Sequence, residues 1–265
     1  MAKKLGQYFL KNKSAINKII SSLELKKGDA IIEIGPGKGA LTFPLAKKCD
    51  AFGCSIIAIE KDPKFFTKNL NHESLKNVKF IKGDVLNELE YIARNLQNKK
   101  YKLVGNIPYY ITGRLMRILS EIKYKPEVIV LTMQKEVAEK ITSVPPKMNL
   151  LSAITNFWAA SKIIANIKSG SFSPSPKVDS AIIKLIPKTN QKYNIQNAEY
   201  YKFAKICFKQ PRKTILNNLR QGLNLKTEEI LKILKINKLT GKKRAQSLDF
   251  KIIIKLSCAF KSLEG

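Results

Sequence analysis

Ala30-Ile31-Ile32-Glu33-Ile34-Gly35-Pro36-Gly37-Lys38-Gly39 is the stretch whose reading decides the fold. Its first five residues are almost continuously apolar, the pattern of a strand covered on both faces. The glycines that follow let the backbone approach a ligand closely, and a helix, expected from about Ala40 to Lys48, opens just beyond them. The spacing is GxGxG, not the GxGxxG of a dinucleotide fingerprint. Lys38 is followed by neither Ser nor Thr, so the run does not read as a phosphate-binding P-loop.

The same alternation continues outward. Residues 14–23 carry helical spacing behind Ser14, which is expected as the cap. Buried strands are expected at Ser55–Ile59, Val78–Lys82, Tyr101–Gly105 and Val128–Leu131, with helices starting near Pro63 and around Glu88 to Leu96. Strands alternating with helices predict an α/β fold, a parallel sheet with helices on both faces. Past residue 150 two further strands, Phe157–Ile167 and Ala181–Ile186, are expected to finish the sheet as an antiparallel pair. A Ser/Pro-rich loop, Ser169–Lys177, joins them. After a polar linker, Lys188–Asn197, only helical periodicity remains: Tyr201–Phe208, Lys213–Leu219, Glu228–Leu234 and Phe250–Phe260. The expected division is an α/β domain over 1–188 and a small, basic, all-α domain over 189–265.

Lys and Arg number 49 against 20 Asp and Glu, a formal net charge of +29 in 265 residues. That excess predicts a polyanionic partner, nucleic acid before an anionic membrane surface, although the general abundance of Lys, Ile and Asn contributes to it. The cysteines at 49, 54, 207 and 258 form no CxxC pair and read as reduced thiols of a cytosolic protein. The single histidine, His72, reads as a surface residue, so neither a His-ligated metal nor a Ser-His-Asp triad is expected. No apolar run reaches membrane-spanning length, and Met1-Ala2-Lys3-Lys4 leads into no apolar leader.

Three successive strand ends carry the chemistry. Gly35 ends the first, Glu60 the second and Asp84 the third. In an open parallel sheet such ends share one ligand crevice. A carboxylate at 60 suits both hydroxyls of a ribose, and one at 84 suits the exocyclic amino group of adenine. A ligand with a ribose and a base but no phosphate to recognise fits S-adenosylmethionine. The fourth strand runs into Asn106-Ile107-Pro108-Tyr109. The Asn oxygen and a backbone carbonyl can each accept one N–H of an amino group. Pro108 removes a competing donor, Ile107 is held extended before it, and Tyr109 offers a flat face to a base.

These residues lie within a longer set of ordered matches. Gly6 to Leu10, Glu33 to Gly37, Gly83-Asp84, Asn106 to Tyr109, Gln134 to Val137, Phe172 to Ser180 and Gln210 to Thr214 together resemble the small-subunit ribosomal RNA adenine N6,N6-dimethyltransferases over nearly the whole chain. The resemblance implies a Rossmann-like S-adenosylmethionine-dependent methyltransferase. It would dimethylate two adjacent adenosines in the 3′-terminal hairpin loop of 16S rRNA during subunit maturation. It implies that Tyr8, Leu10, Gly35, Gly37, Glu60, Asp84 and Asn106 line the cofactor or acceptor site. It also implies the small ribosomal subunit as partner, and a cytoplasmic monomer. Three positions depart from the family pattern: Tyr8 stands for a usual Asn, Met148-Asn149 for Tyr-Gly, and Pro211 for an Arg.

Catalysis is then expected from Asn106, Pro108, Tyr109 and Phe172. Asn106 and a carbonyl of Ile107 or Pro108 would localise the amino lone pair, with Tyr109 and Phe172 clamping the ring. Arg212, Lys213, Lys242, Lys243 and Arg244 are the expected RNA contacts. Two other readings share parts of the pattern. One is the large-subunit adenine dimethyltransferases of macrolide resistance, against which Asp179 and the run Arg212-Lys213-Thr214 speak. The other is a non-catalytic RNA-binding assembly or transcription factor, against which the intact Gly35, Glu60, Asp84 and Asn106 speak.

Overall fold

The computed structural model describes residues 7–70, 75–97, 99–188 and 195–264. Met1 to Lys4, Gly6, His72 and linker residues 189–194 lie outside the described residues. The strands are β1 (Phe9–Leu10), β2 (Ala30–Ile34), β3 (Ser55–Glu60), β4 (Val78–Lys82), β5 (Tyr101–Asn106), β6 (Val128–Gln134), β7 (Ala159–Ile167), β8 (Phe172–Ser173) and β9 (Ser180–Pro187). The first helices are α1 (Lys13–Ser22), α2 (Thr42–Phe52), α3 (Pro63–Leu70), α4 (Val85–Asn95), α5 (Thr112–Glu121), α6 (Lys135–Thr142) and α7 (Leu150–Trp158). The last four are α8 (Asn197–Cys207), α9 (Ile215–Gly222), α10 (Thr227–Ile236) and α11 (Phe250–Glu264). Among the described residues no helix is long and apolar enough to cross a membrane.

A seven-stranded sheet runs in the order β4-β3-β2-β5-β6-β9-β7. The first five are parallel, and β9 pairs antiparallel with β6, so the sheet is mixed at one side. The chain moves outward from β2 through β3 and β4, then returns to lay β5 on β2's other edge. That reversal opens a crevice at the carboxyl ends of β2 and β5. Isoleucines 31, 32 and 34, with Leu103 and Val104, are at most 2 % exposed, as a sheet covered on both faces demands.

Gly105 explains how closely β2 and β5 approach at that end. It stands opposite Ile34, and a Cβ there would lie 2.9 Å from both the Ile34 Cβ and its carbonyl oxygen. The residue before Asn106 therefore has to be glycine for the two strand ends to meet.

Several boundaries differ from expectation. Asn12, not Ser14, caps α1, its side chain accepting the Ala15 N–H at 3.0 Å. Phe157 and Trp158 end α7 instead of opening a strand. Asn149 and Ser152 form a reciprocal cap that starts this helix, and both aromatics lie buried on it.

By contacts the chain forms two compact units. One holds the residues up to Ala138 with Ser161–Pro187; the other holds Glu139–Ala160 with the residues from Lys188 onward. A break at 188 therefore leaves 139–160 on the wrong side. The reason is apolar: Phe157 stacks on Tyr200 with ring centroids 4.2 Å apart, and the Tyr200 hydroxyl donates to the Ala153 carbonyl at 3.2 Å. Met148, Ala153 and Phe157 share one core with α8, α9, α10 and α11.

Candidate active site

The carboxyl ends of the first four parallel strands enclose a crevice. Gly35, Glu60, Asp84 and Asn106 all line it, together with Tyr8, Gly37, Pro108 and Tyr109. Gly35 and Gly37 have φ of +64° and +56°, the left-handed region that favours glycine. A Cβ on Gly35 would meet nothing within 4 Å, so its backbone stands open to a ligand, whereas one on Gly37 would come within 2.9 Å of the Phe9 ring.

Glu60 is 4 % exposed. Its Oε2 accepts the Gly37 N–H at 2.9 Å and its Oε1 the Asp62 N–H at 2.8 Å. Burial pushes its pKa up, and the N–H groups of Asp62 and Gly37 oppose that shift. Each oxygen keeps a lone pair beyond these bonds, so two hydroxyl donors can still be received. Asp84 caps α4, its Oδ1 accepting the Leu86 N–H at 3.0 Å, while its Oδ2 pairs with the Lys61 ammonium at 2.9 Å. Partial burial pulls its pKa upward, but Lys61 and the Leu86 N–H outweigh it and hold the carboxyl below the usual range. Behind the loop, Glu33 is 1 % exposed. Burial, opposed by the Thr42 hydroxyl and reinforced by Glu60, pushes its carboxyl up to about 8.

Asn106 donates from Nδ2 to the Tyr8 carbonyl at 2.7 Å, which leaves Oδ1 as the acceptor of that side chain. Tyr8 thus anchors Asn106 through its backbone, which its side-chain identity does not affect. The Tyr109 hydroxyl meets the Ser180 Oγ at 2.7 Å, and its ring lies 5.5 Å from that of Tyr8. Burial pushes the Tyr109 hydroxyl up, which keeps it neutral. The Pro108 carbonyl accepts the Ile111 N–H at 3.1 Å in a short 3₁₀ turn, Tyr109–Ile111.

Two expected site residues do not line this crevice. Phe172 is 2 % exposed in the core, paired in β8 with Leu10 of β1, and does not line the crevice. The antiparallel β1–β8 ladder turns it inward, so it offers no face to a base in this structure. Leu10, 4 % exposed, is a core residue that does not line this crevice but shares a smaller cavity with Gly35 and Asn106. Its neighbour Phe9, which the sequence reading passed over, lines the crevice instead. A period-2 reading of Tyr8-Phe9-Leu10 separates Phe9 from its neighbours but does not say which face meets a ligand. Lys61 and Tyr110 were also missed, although each directly follows a motif residue.

In the second unit Arg212, Lys213, Lys242, Lys243 and Arg244 are all exposed. Two backbone bonds, Ile215 N–H to the Lys243 carbonyl at 2.7 Å and Leu216 N–H to the Gly241 carbonyl at 3.4 Å, draw the two basic loops together.

The open glycine turn, the buried Glu60, the capping Asp84 and the anchored Asn106 converge on one crevice at the carboxyl ends of a Rossmann-like sheet. Comparison with known proteins narrows the class. The family model for ribosomal RNA adenine dimethylase matches residues 1–256. The ribosomal RNA small subunit methyltransferase A of Mycoplasmopsis pulmonis is 38 % identical over 248 residues, covering 93 % of each chain. That of Dehalococcoides mccartyi is 36 % identical over 250 residues, 93 % of this chain and 84 % of its own. Among solved structures, a dimethyladenosine transferase from Plasmodium falciparum superposes with a TM-score of 0.79 at 26 % identity, covering 96 % of this chain and 98 % of its own. The 23S rRNA methyltransferase ErmE shares the fold, with a TM-score of 0.71 at 22 % identity over 94 % of this chain and 98 % of its own. This chain belongs to the ribosomal RNA adenine dimethylase family.

Proposed function

We propose that this protein dimethylates the N6 amino groups of two adjacent adenosines in the 3′-terminal hairpin loop of small-subunit (16S) rRNA. It does so as a cytoplasmic monomer acting on the small ribosomal subunit or its precursor. The observation that carries the reading is the anchored Asn106 amide. With Nδ2 committed to the Tyr8 carbonyl, Oδ1 is held as an acceptor in the crevice.

The N6 lone pair of adenine is delocalised into the ring, which makes the amino group a poor nucleophile. Accepting its N–H bonds counters this and strengthens as positive charge develops on nitrogen. Asn106 Oδ1 takes one N–H. The carbonyl of Ile107 or Pro108 takes the other; Pro108 already receives the Ile111 N–H but keeps a second lone pair. Tyr109, tied at its hydroxyl, presents its ring to the base. Glu60 and the open backbone at Gly35 suit the ribose and chain of S-adenosylmethionine, and Asp84 suits its adenine amino group. The cofactor, when bound, supplies an electrophilic methyl group. The choice of small- over large-subunit rRNA rests on the curated relatives named above.

Two measurements test this. In rRNA from cells lacking the protein, two adjacent adenosines near the small-subunit 3′ end should lose both methyl groups and regain them on complementation. An unchanged methylation map overturns the assignment. In single-turnover assays on small subunits from such cells, Asn106→Ala should slow methyl transfer by at least about a hundredfold with cofactor affinity within a few fold. A near-wild-type rate removes Asn106 from the chemistry.

A further inference from the structure

Tyr110 lies on the crevice rim, directly after the Asn-Ile-Pro-Tyr turn. Its neighbours in the 3₁₀ turn have tasks inside the protein: Ile111 is buried, and Tyr109 is tied to Ser180. Three residues per turn direct the intervening side chain outward, and Tyr110 is 62 % exposed while still lining the crevice. Among the described residues its hydroxyl has no hydrogen-bond partner, and no ring or ammonium lies over its face. An exposed aromatic without packing or a partner is a poor structural element, but it is a stacking surface for a base.

The charges around it fit the same ligand. Arg114 is exposed in the first turn of α5, where a cation is disfavoured by the helix dipole. It forms no ion pair within 4 Å among the described residues, although its charge reaches the Asp84 carboxylate. Lys61 and Asp84 line the crevice with Tyr110, and the Arg114 charge acts on both of them from the start of α5. Stacking aromatics beside cations are how single-stranded nucleic acid is held.

We propose that Tyr110 is the stacking platform for the nucleotide next to the adenosine in the crevice, with Arg114 contacting that nucleotide's phosphate. This rests on the RNA methyltransferase reading and deepens it. One adenosine is held at Asn106 while its neighbour waits on Tyr110, so Tyr110 sets how the enzyme engages an adjacent pair rather than an isolated base.

The test is steady-state methylation of unmethylated small subunits by wild type and by Tyr110→Ala, Tyr110→Leu and Tyr110→Phe, with S-adenosylhomocysteine affinity measured for each. Tyr110→Ala and Tyr110→Leu should raise the KM for the subunit by about tenfold, as loss of one stacked base implies. Their affinity for S-adenosylhomocysteine should be unchanged. Their products should be enriched in subunits methylated on only one adenosine of the pair. Tyr110→Phe, which keeps the ring and loses the hydroxyl, should restore wild-type behaviour. Arg114→Ala should raise the KM further and flatten its salt dependence. Wild-type KM and product pattern in Tyr110→Ala overturn the proposal alone, as does a Tyr110→Phe variant as impaired as Tyr110→Ala. Failure of the wild-type enzyme to methylate the subunit overturns the underlying reading.

Discussion

At the scale of single residues, the crevice depends on two acids that burial treats differently. Glu60 is buried yet supplied with two backbone donors. Among the described residues Glu33 receives only the Thr42 hydroxyl, and its Oε2 has no hydrogen-bond partner. In the proposed site Glu60 accepts two ribose hydroxyls, and its removal withdraws both acceptors. Charge-assisted bonds contribute roughly 1.5–3 kcal/mol each, so Glu60→Ala should weaken S-adenosylhomocysteine binding at least tenfold with RNA affinity retained. Calorimetry giving wild-type cofactor affinity would refute the assignment. Glu33 makes a pH prediction. Its folded-state pKa, about 8, lies above the unfolded value. The stability tied to its proton is fully present below about 4.3 and is lost as pH rises through 8. The slope in that window is about 1.4 kcal/mol per pH unit. Urea unfolding of the cofactor-free protein from pH 5 to 9 should therefore show Glu33→Gln gaining on wild type as pH rises to 8. A stability difference that does not change with pH refutes this.

At the scale of elements, one carboxylate serves both a helix and the site. Asp84 satisfies an N–H at the start of α4 and, at the end of β4, turns its other oxygen to Lys61 in the crevice. Capping and ligand binding can be separated by substitution. Asp84→Ala should lower unfolding free energy by about 1 kcal/mol, the usual cost of a lost cap. Asp84→Asn keeps an oxygen for Leu86 and should be close to wild type in stability. Both should weaken S-adenosylhomocysteine binding. Urea denaturation in which Asn destabilises as much as Ala would show that capping is not what stabilises this helix start. The Ser/Pro-rich loop follows a similar economy. Asp179 accepts the Ser169 N–H and pairs with Lys168, each at 3.0 Å, and so closes the loop that carries β8. The acid at 179 that speaks for the small-subunit reading is thus also the loop's clasp.

At the scale of the whole molecule, the +29 charge suits contact with a polyanion, and the proposed RNA footprint follows from it. Arg212, Lys213, Lys242 and Lys243 lie in loops joined by the backbone bonds at Ile215 and Leu216, so one patch carries charges from two distant sequence segments. Phosphate contacts make affinity fall with salt at a logarithmic slope of about −0.7 to −0.9 per contact. Reversing those charges together should flatten the slope and weaken subunit binding, with cofactor affinity unchanged. A quadruple variant with the wild-type salt slope would place the RNA footprint elsewhere.

Much of this was legible along the chain. Isoleucine-rich strands with helices between them specify an open α/β sheet, because only such a sheet covers strands on both faces. Gly35, Glu60, Asp84 and Asn106 each follow or end a strand, so strand order alone carries them to one crevice. What the sequence left open depended on contacts between distant segments. The Asn149–Ser152 cap and the stacking of Phe157 on Tyr200 decided that 139–160 packs with the last helices. The β1–β8 ladder decided that Phe172 and Leu10 face the core while Phe9 faces the crevice. Lys102, within a stretch that reads as apolar, is buried because Asp29 meets its ammonium at 2.6 Å. Local periodicity states which residues need covering; only the folded chain, by what it places opposite them, decides which are covered by protein and which are left to a ligand.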